Sequence, residues 1–161
     1  MRMMHAFCIV FAALLTLMGC GEKGPDSLWD RAEKAAASQD LVQAVAHYKD
    51  FVAQYPQHNK AAAALKNWAA LEQQTGDMEG AIALYERLLQ EYPQSDLGDE
   101  AQFMIAFIYE EYLGDVDRAR NAYQLVIDRY PNSELAASAK QLLPHVGRSP
   151  EEWVRFQDKV N

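Results

Sequence analysis

"GDMEGAIALYERLLQEYP", residues 76–93, is an amphipathic segment opened by Gly76-Asp77 and closed by Tyr92-Pro93. The chain repeats it in the same register as "QDLVQAVAHYKDFVAQYP" at 39–56 and "GDVDRARNAYQLVIDRYP" at 114–131. Counted from Asp40, Asp77 and Asp115, every copy has Ala at +4, Tyr at +8, a large apolar residue at +11 and Tyr-Pro at +15 and +16. Self-similarity at a fixed spacing of this length is the mark of a repeat array rather than of an ordinary domain.

The apolar positions show what the repeating unit is. They fall at +4, +8, +11, +12 and +15, in the central copy Ala81, Tyr85, Leu88, Leu89 and Tyr92, which is one stripe of an α-helix. Each Asp stands where an N-cap is wanted, a contact that contributes about 1 kcal/mol. Gly76 and Gly114 suit a left-handed residue closing the preceding helix, and Gln39 in the first copy predicts a less stable turn. Pro56, Pro93 and Pro131 stop the helices, because proline lacks an N–H and disfavours α conformation in the residue before it.

Between each Tyr-Pro and the next Asp there is room for one more helix, supplied by 59–74 and 96–113. A shorter one, 27–38, precedes the first copy with Ser27 and Asp30 in a capping-box pattern, and 133–146 follows the last as a cap. The tail from Ser149, with Pro150 at N1 and Glu152 at N3, carries the start signal of an eighth helix. The unit is a helix pair recurring at 37 and then 38 residues. The expected fold class is all-α, an α-solenoid of about three hairpins over 27–146, with a C-terminal helix in 147–161.

The first 19 residues belong to something else. A short leader carrying Arg2 is followed by thirteen residues, Ala6 to Met18, with only Thr16 polar, too short to span a bilayer and suited to a signal peptide. The chain carries a net charge of −8, and loss of Arg2 with the leader leaves 14 Lys plus Arg against 23 Asp plus Glu, so a phosphate-rich partner is repelled and nucleic acid is excluded. Only two cysteines are present, Cys8 inside the leader and Cys20, so the mature chain is expected to hold no disulfide.

No catalytic pattern is present: His47, His58 and His145 are scattered, and there is no glycine-rich phosphate loop. No enzyme activity, metal or cofactor is expected. One charge pattern stands out, since eight acids and no Lys or Arg lie between Arg87 and Arg118: Glu91, Asp96, Asp99, Glu100, Glu110, Glu111, Asp115 and Asp117. A solubilising face is the plainer explanation, and a site for a basic partner segment the functional one.

Two resemblances sharpen this reading. "LMGC", Leu17 to Cys20, resembles the lipobox of bacterial lipoproteins, which implies cleavage after Gly19 and acylation of Cys20 at the head of a short linker, 20–26. An ordinary secretory signal with an incidental cysteine is the alternative. Gly21 is not the aspartate that retains such lipoproteins at the inner membrane, so the resemblance implies the periplasmic face of the outer membrane. Ala69 with Ala81, Tyr85 and Pro93 match the spacing of the tetratricopeptide repeat, and the Tyr-Pro-x-Ser endings at 92–95 and 130–133 resemble BamD-like outer-membrane assembly lipoproteins and, less closely, the YbgF-like repeat proteins associated with Tol-Pal. With about three repeats the chain is shorter than a BamD-like member. The resemblance implies a scaffold for envelope proteins, in outer-membrane assembly or, alternatively, in Tol-Pal, peptidoglycan or cell-division work.

In repeats of this kind the first helix of each pair faces the groove. The residues expected there are Trp29 and Glu33 in the first pair, Lys66 and Gln73 in the second, and Phe103, Phe107 and Glu110 in the third. For Trp29, Phe103 and Phe107 packing in the core is the plainer explanation; as exposed anchors beside an acidic wall they would suit an apolar, basic segment.

Overall fold

The computed structural model describes residues 24–148, and all of their regular structure is helical: α1 Pro25–Ala37, α2 Leu41–Gln54, α3 Ala61–Thr75, α4 Met78–Glu91, α5 Gly98–Glu111, α6 Val116–Arg129 and α7 Glu134–Leu142. The leader, Cys20 and the expected helix from Ser149 lie outside the described residues.

The repeated Asp-to-Pro segments become α2, α4 and α6, with the expected ends. Asp40, Asp77 and Asp115 each accept a backbone N–H three residues on, from Gln43 at 3.2 Å, Gly80 at 2.9 Å and Arg118 at 2.9 Å. The residue before each cap is left-handed: Gly76 at φ 92°, Gly114 at φ 63° and Gln39 at φ 62°. A side chain in that region costs on the order of 1 kcal/mol, so the first turn is the strained one. Tyr55, Tyr92 and Tyr130 cap the other ends, directly before the prolines.

Two expected boundaries are corrected. Ser27 and Asp30 do not form a capping box, because α1 starts earlier, with Gly24 as N-cap and Pro25 in the first turn, where a missing N–H costs nothing. The last helix stops at Leu142, short of 146, where Pro144 has no N–H to extend the ladder. The chain then turns, Gly147 at φ 79°, and returns the fully buried Val146 to the core, its carbonyl accepting from Arg120 Nη2 at 3.0 Å.

Helices α1 with α2, α3 with α4 and α5 with α6 form hairpins, joined through α2 against α3, α4 against α5 and α6 against α7. Ala44, Ala81 and Ala119 at +4 are fully buried, as are Phe51, Leu88 and Val126 at +11, each of the larger three contributing about 1.5–3 kcal/mol by burial. Ala32, Ala69 and Ala106 in the first helices, also fully buried, allow the paired helices to approach closely.

Successive first helices are tied by side chains 34 residues apart: Lys60 with Asp26 at 3.1 Å, Asn67 with Glu33 at 3.2 Å, Lys66 with Glu100 at 3.2 Å, and Ser133 with Asp99. The Tyr-Pro turns stack as well. Tyr92 Oη donates to the Pro56 carbonyl at 2.9 Å, and Tyr130 leans so closely on Gly98 that an added Cβ would stand 2.5 Å from its hydroxyl.

Candidate partner-binding face

The three core tyrosines reveal the register of the first helices. Tyr48 donates its hydroxyl to Glu33, Tyr85 to Gln73 at 2.9 Å, and Tyr123 to Glu110 at 2.9 Å. Gln73 and Glu110 occupy the same place in their hairpins, four and five residues before the capping Asp. Ala36 stands there in α1 and offers no acceptor, so Tyr48 uses Glu33 one turn earlier, and Asn67 of α3 donates to both at 3.2 and 3.1 Å. Burial raises the pKa of all three phenols, that of Tyr85 to about 12, and the carboxylates of Glu33 and Glu110 push Tyr48 and Tyr123 up further.

Glu33, Gln73 and Glu110 are thus committed within their own hairpins while standing at the edge of the first-helix face. Trp29 and Phe103 are partly buried and packed on the core: Trp29 meets Tyr48 and Phe51 edge-on, both at 5.7 Å, and Phe103 meets Tyr123 at 5.3 Å. Lys60 Nζ lies 5.2 Å over the Trp29 ring. Lys66 bridges to Glu100.

Phe107 differs from these. Its ring partner is Tyr112 at 6.0 Å, and Tyr112 is 54% exposed. On α5 the residues Glu100, Phe103, Phe107 and Glu111 follow one another at three- to four-residue spacing and share one face, with Lys66 of α3 joined at Glu100. The structure therefore brings Lys66, Phe103, Phe107 and Glu110 together on the last two hairpins, while Trp29 and Glu33 belong to the first.

The acidic run is less open than its sequence suggests. Glu91 pairs with Arg87 at 2.7 Å, Glu100 with Lys66, and Asp115 with Arg118 at 2.6 Å, while Asp99 and Glu110 accept hydroxyls from Ser133 and Tyr123. Glu111, Asp96 and Asp117 remain exposed. Among the described residues no group of three His, Cys, Asp or Glu could hold a metal.

Sequence reasoning missed Tyr112, which directly follows α5 as its C-cap and escapes the repeat count, and it missed Gln102. Gln102 could have been found: four residues before the buried alanine of its first helix, Ala106, it stands where Leu28 precedes Ala32 and Leu65 precedes Ala69.

The tetratricopeptide repeat family profile matches residues 60–95 and 100–133, which are the α3–α4 and α5–α6 hairpins with their turns. The chain is an α-solenoid of tetratricopeptide-like hairpins. Solved structures agree in fold with this solenoid. The N-terminal domain of stress-induced protein-1 (STI-1) from C. elegans is similar at 16% identity and TM-score 0.63, over 73% of this chain and 93% of that one. The Sgt2 TPR domain from Aspergillus fumigatus is similar at 22% identity and TM-score 0.58, over 81% and 82%. A tetratricopeptide repeat protein from Parabacteroides merdae gives 22% and 0.61 over 74% of this chain, which spans only 45% of it. No curated protein sequence matches. Tetratricopeptide solenoids are scaffolds for protein–protein contact, and the first-helix face of this one carries half-buried Phe107 against exposed Tyr112.

Proposed function

We propose that this protein is a lipid-anchored scaffold on the periplasmic face of the outer membrane, which captures an apolar, basic segment of another envelope protein in outer-membrane protein assembly. The observation that carries the binding surface is the Phe107–Tyr112 pair, set beside exposed Glu111 on α5. Aromatic rings with one end wet and few internal partners are the residue type that dominates binding energy at interfaces, and flanking carboxylates select and steer a cationic segment. The anchor is supported by the sequence "LMGC" ahead of Gly21, where acyl chains on Cys20 hold the protein at the membrane.

Changing Cys20 to Ser should leave an unprocessed precursor, while the wild type fractionates with outer membranes. A mature wild-type chain found free in the periplasm with an unmodified terminus contradicts the anchor. Affinity isolation from detergent-solubilised membranes should recover β-barrel assembly components, and recovery of Tol-Pal or wall-synthesis proteins instead would move the role to that machinery.

A further inference from the structure

On the side of α5 away from Phe107, a cleft of about 420 Å³ opens between α4 and α6. Its walls are Leu89 of α4, Ile105 of α5 and Leu125 of α6, with Arg129 at the rim and the side chain of Gln102 in its lining. Gln102 is only 4% exposed, and among the described residues no hydrogen bond reaches its amide. The amide is not sealed in the core but opens to the cleft, where a ligand or water can complete its hydrogen bonds.

The register shows that the cleft departs from the repeat. Where α5 has Gln102 the other first helices have buried Leu28 and Leu65, and where α5 has Ile105, α3 has Trp68, packed on the core with its indole N–H donating to Glu72 at 2.6 Å. Replacing a leucine by an amide and an indole by a smaller aliphatic group both removes volume and adds polarity at one place. Packing alone would favour neither change.

We propose that this cleft is a second peptide-binding site, distinct from the first-helix face, for a segment carrying one aliphatic or aromatic side chain next to a carboxylate. The apolar side chain seats between Leu89, Ile105 and Leu125. The Gln102 amide, with one donor and one acceptor side, pairs with a backbone peptide group of the segment. Charge complementarity fixes the acidic neighbour: Arg129 has no ion pair among the described residues, and the second arginine of the lining, Arg118, is held by Asp115 and stacks at 4.5 Å on Tyr109. Glu86, the one carboxylate in the lining, disfavours acid elsewhere in the cleft, so the acidic group belongs at Arg129.

The test uses the full chain in detergent. Phage-displayed random dodecapeptides are selected on it, and the enriched sequences are synthesised with a fluorescent label and measured by anisotropy. The expected motif is an aliphatic or aromatic residue adjoining Asp or Glu. Ile105→Trp and Gln102→Leu install the side chains that α3 already accommodates, so both variants should fold, and each should weaken binding about tenfold or more, as loss of a central anchor does. Arg129→Glu should weaken it and abolish the preference for acid. Phe107→Ala should leave it unchanged, which separates this site from the first-helix face. Peptides that bind Ile105→Trp as well as wild type overturn the proposal, as does selection without acidic residues. Self-association of the wild type that Ile105→Trp abolishes assigns the cleft to a second copy instead, and affinity that rises on removal of residues 149–161 assigns it to the chain's own end.

Discussion

The α3–α4 and α5–α6 hairpins are built to the same plan and finished differently. Both have a capped second helix, a buried alanine pair at Ala69 with Ala81 and Ala106 with Ala119, and a core tyrosine bonded to its own first helix. In the α3–α4 hairpin the remaining positions serve packing: Leu65 is fully buried, Trp68 lies against the core, and Tyr85 donates to a neutral amide. In α5–α6 the same positions hold Gln102 and Ile105, the tyrosine donates to a carboxylate, and Phe107 stands where α3 has Ala70. A repeat array tolerates such local departures because each unit contacts only its neighbours, so one hairpin can take on function while the others carry stability.

Exchanging residues between the two hairpins tests this division. The largest effect is expected for Leu65→Gln, which removes a buried aliphatic group and leaves an unpaired amide, costing about 3 kcal/mol in urea unfolding. Equal stability of that variant and the wild type would show that α3 is no more tightly packed than α5. Removing the hydroxyls comes next. Tyr123→Phe deletes a bond to a carboxylate and should cost about 1.5–3 kcal/mol, whereas Tyr85→Phe deletes one to an amide and should cost about 0.5–1.5 kcal/mol. The reverse order in thermal melts would break the comparison.

A smaller change of opposite sign is expected for Gln102→Leu, a gain of about 1–2 kcal/mol from placing an aliphatic group where an amide with no protein partner now opens to the cleft. No gain would mean that the cleft is satisfied as it stands. The smallest effects come with pH. Backbone and side-chain bonds from Arg118 hold the Asp115 carboxyl below its usual range, so its contribution is complete above the ordinary carboxylate value and fades as pH falls through the lowered one. Asp115→Asn should therefore flatten the acid limb of the stability curve. At the other end the phenols of Tyr48, Tyr85 and Tyr123 resist ionisation when folded, so the unfolded chain loses its protons first and stability declines as pH rises above about 10. The triple Phe variant should lose most of that decline, the rest coming from Tyr92 and Tyr130, whose phenol pKa values burial also raises.

The repeat was legible because its signals are local. An Asp cap, a helical apolar stripe and a Tyr-Pro stop each act within one helix, and their recurrence fixed α2, α4 and α6 to the residue. The first helices lack such marks. Their ends depend on Pro25 and on turns closed by tertiary contacts, such as Tyr130 on Gly98, so the expected spans missed them by a residue or two, in either direction. The face was legible in part: helical spacing placed Phe103, Phe107 and Glu110 together, but nothing local shows that Phe103 is held by Tyr123 while Phe107 is left with Tyr112. The partners of the acidic residues were hidden for the same reason, since Lys66 reaches Glu100 across 34 positions of sequence. Double replacement of Phe103 and Glu110 consequently strikes the Tyr123 contacts and is a poor probe of binding alone.

Site-specific photo-cross-linking in living cells examines the central claim, capture of a protein partner on the first-helix face of the last hairpin. A photoreactive phenylalanine analogue is placed at Phe107, and in separate strains at Val42, 78% exposed on α2, and at exposed Gln124 on α6. A discrete adduct with one envelope protein is expected from position 107 and from neither control. Adducts from Gln124 or Val42 with none from position 107 would place the partner on the second helices and contradict the assignment.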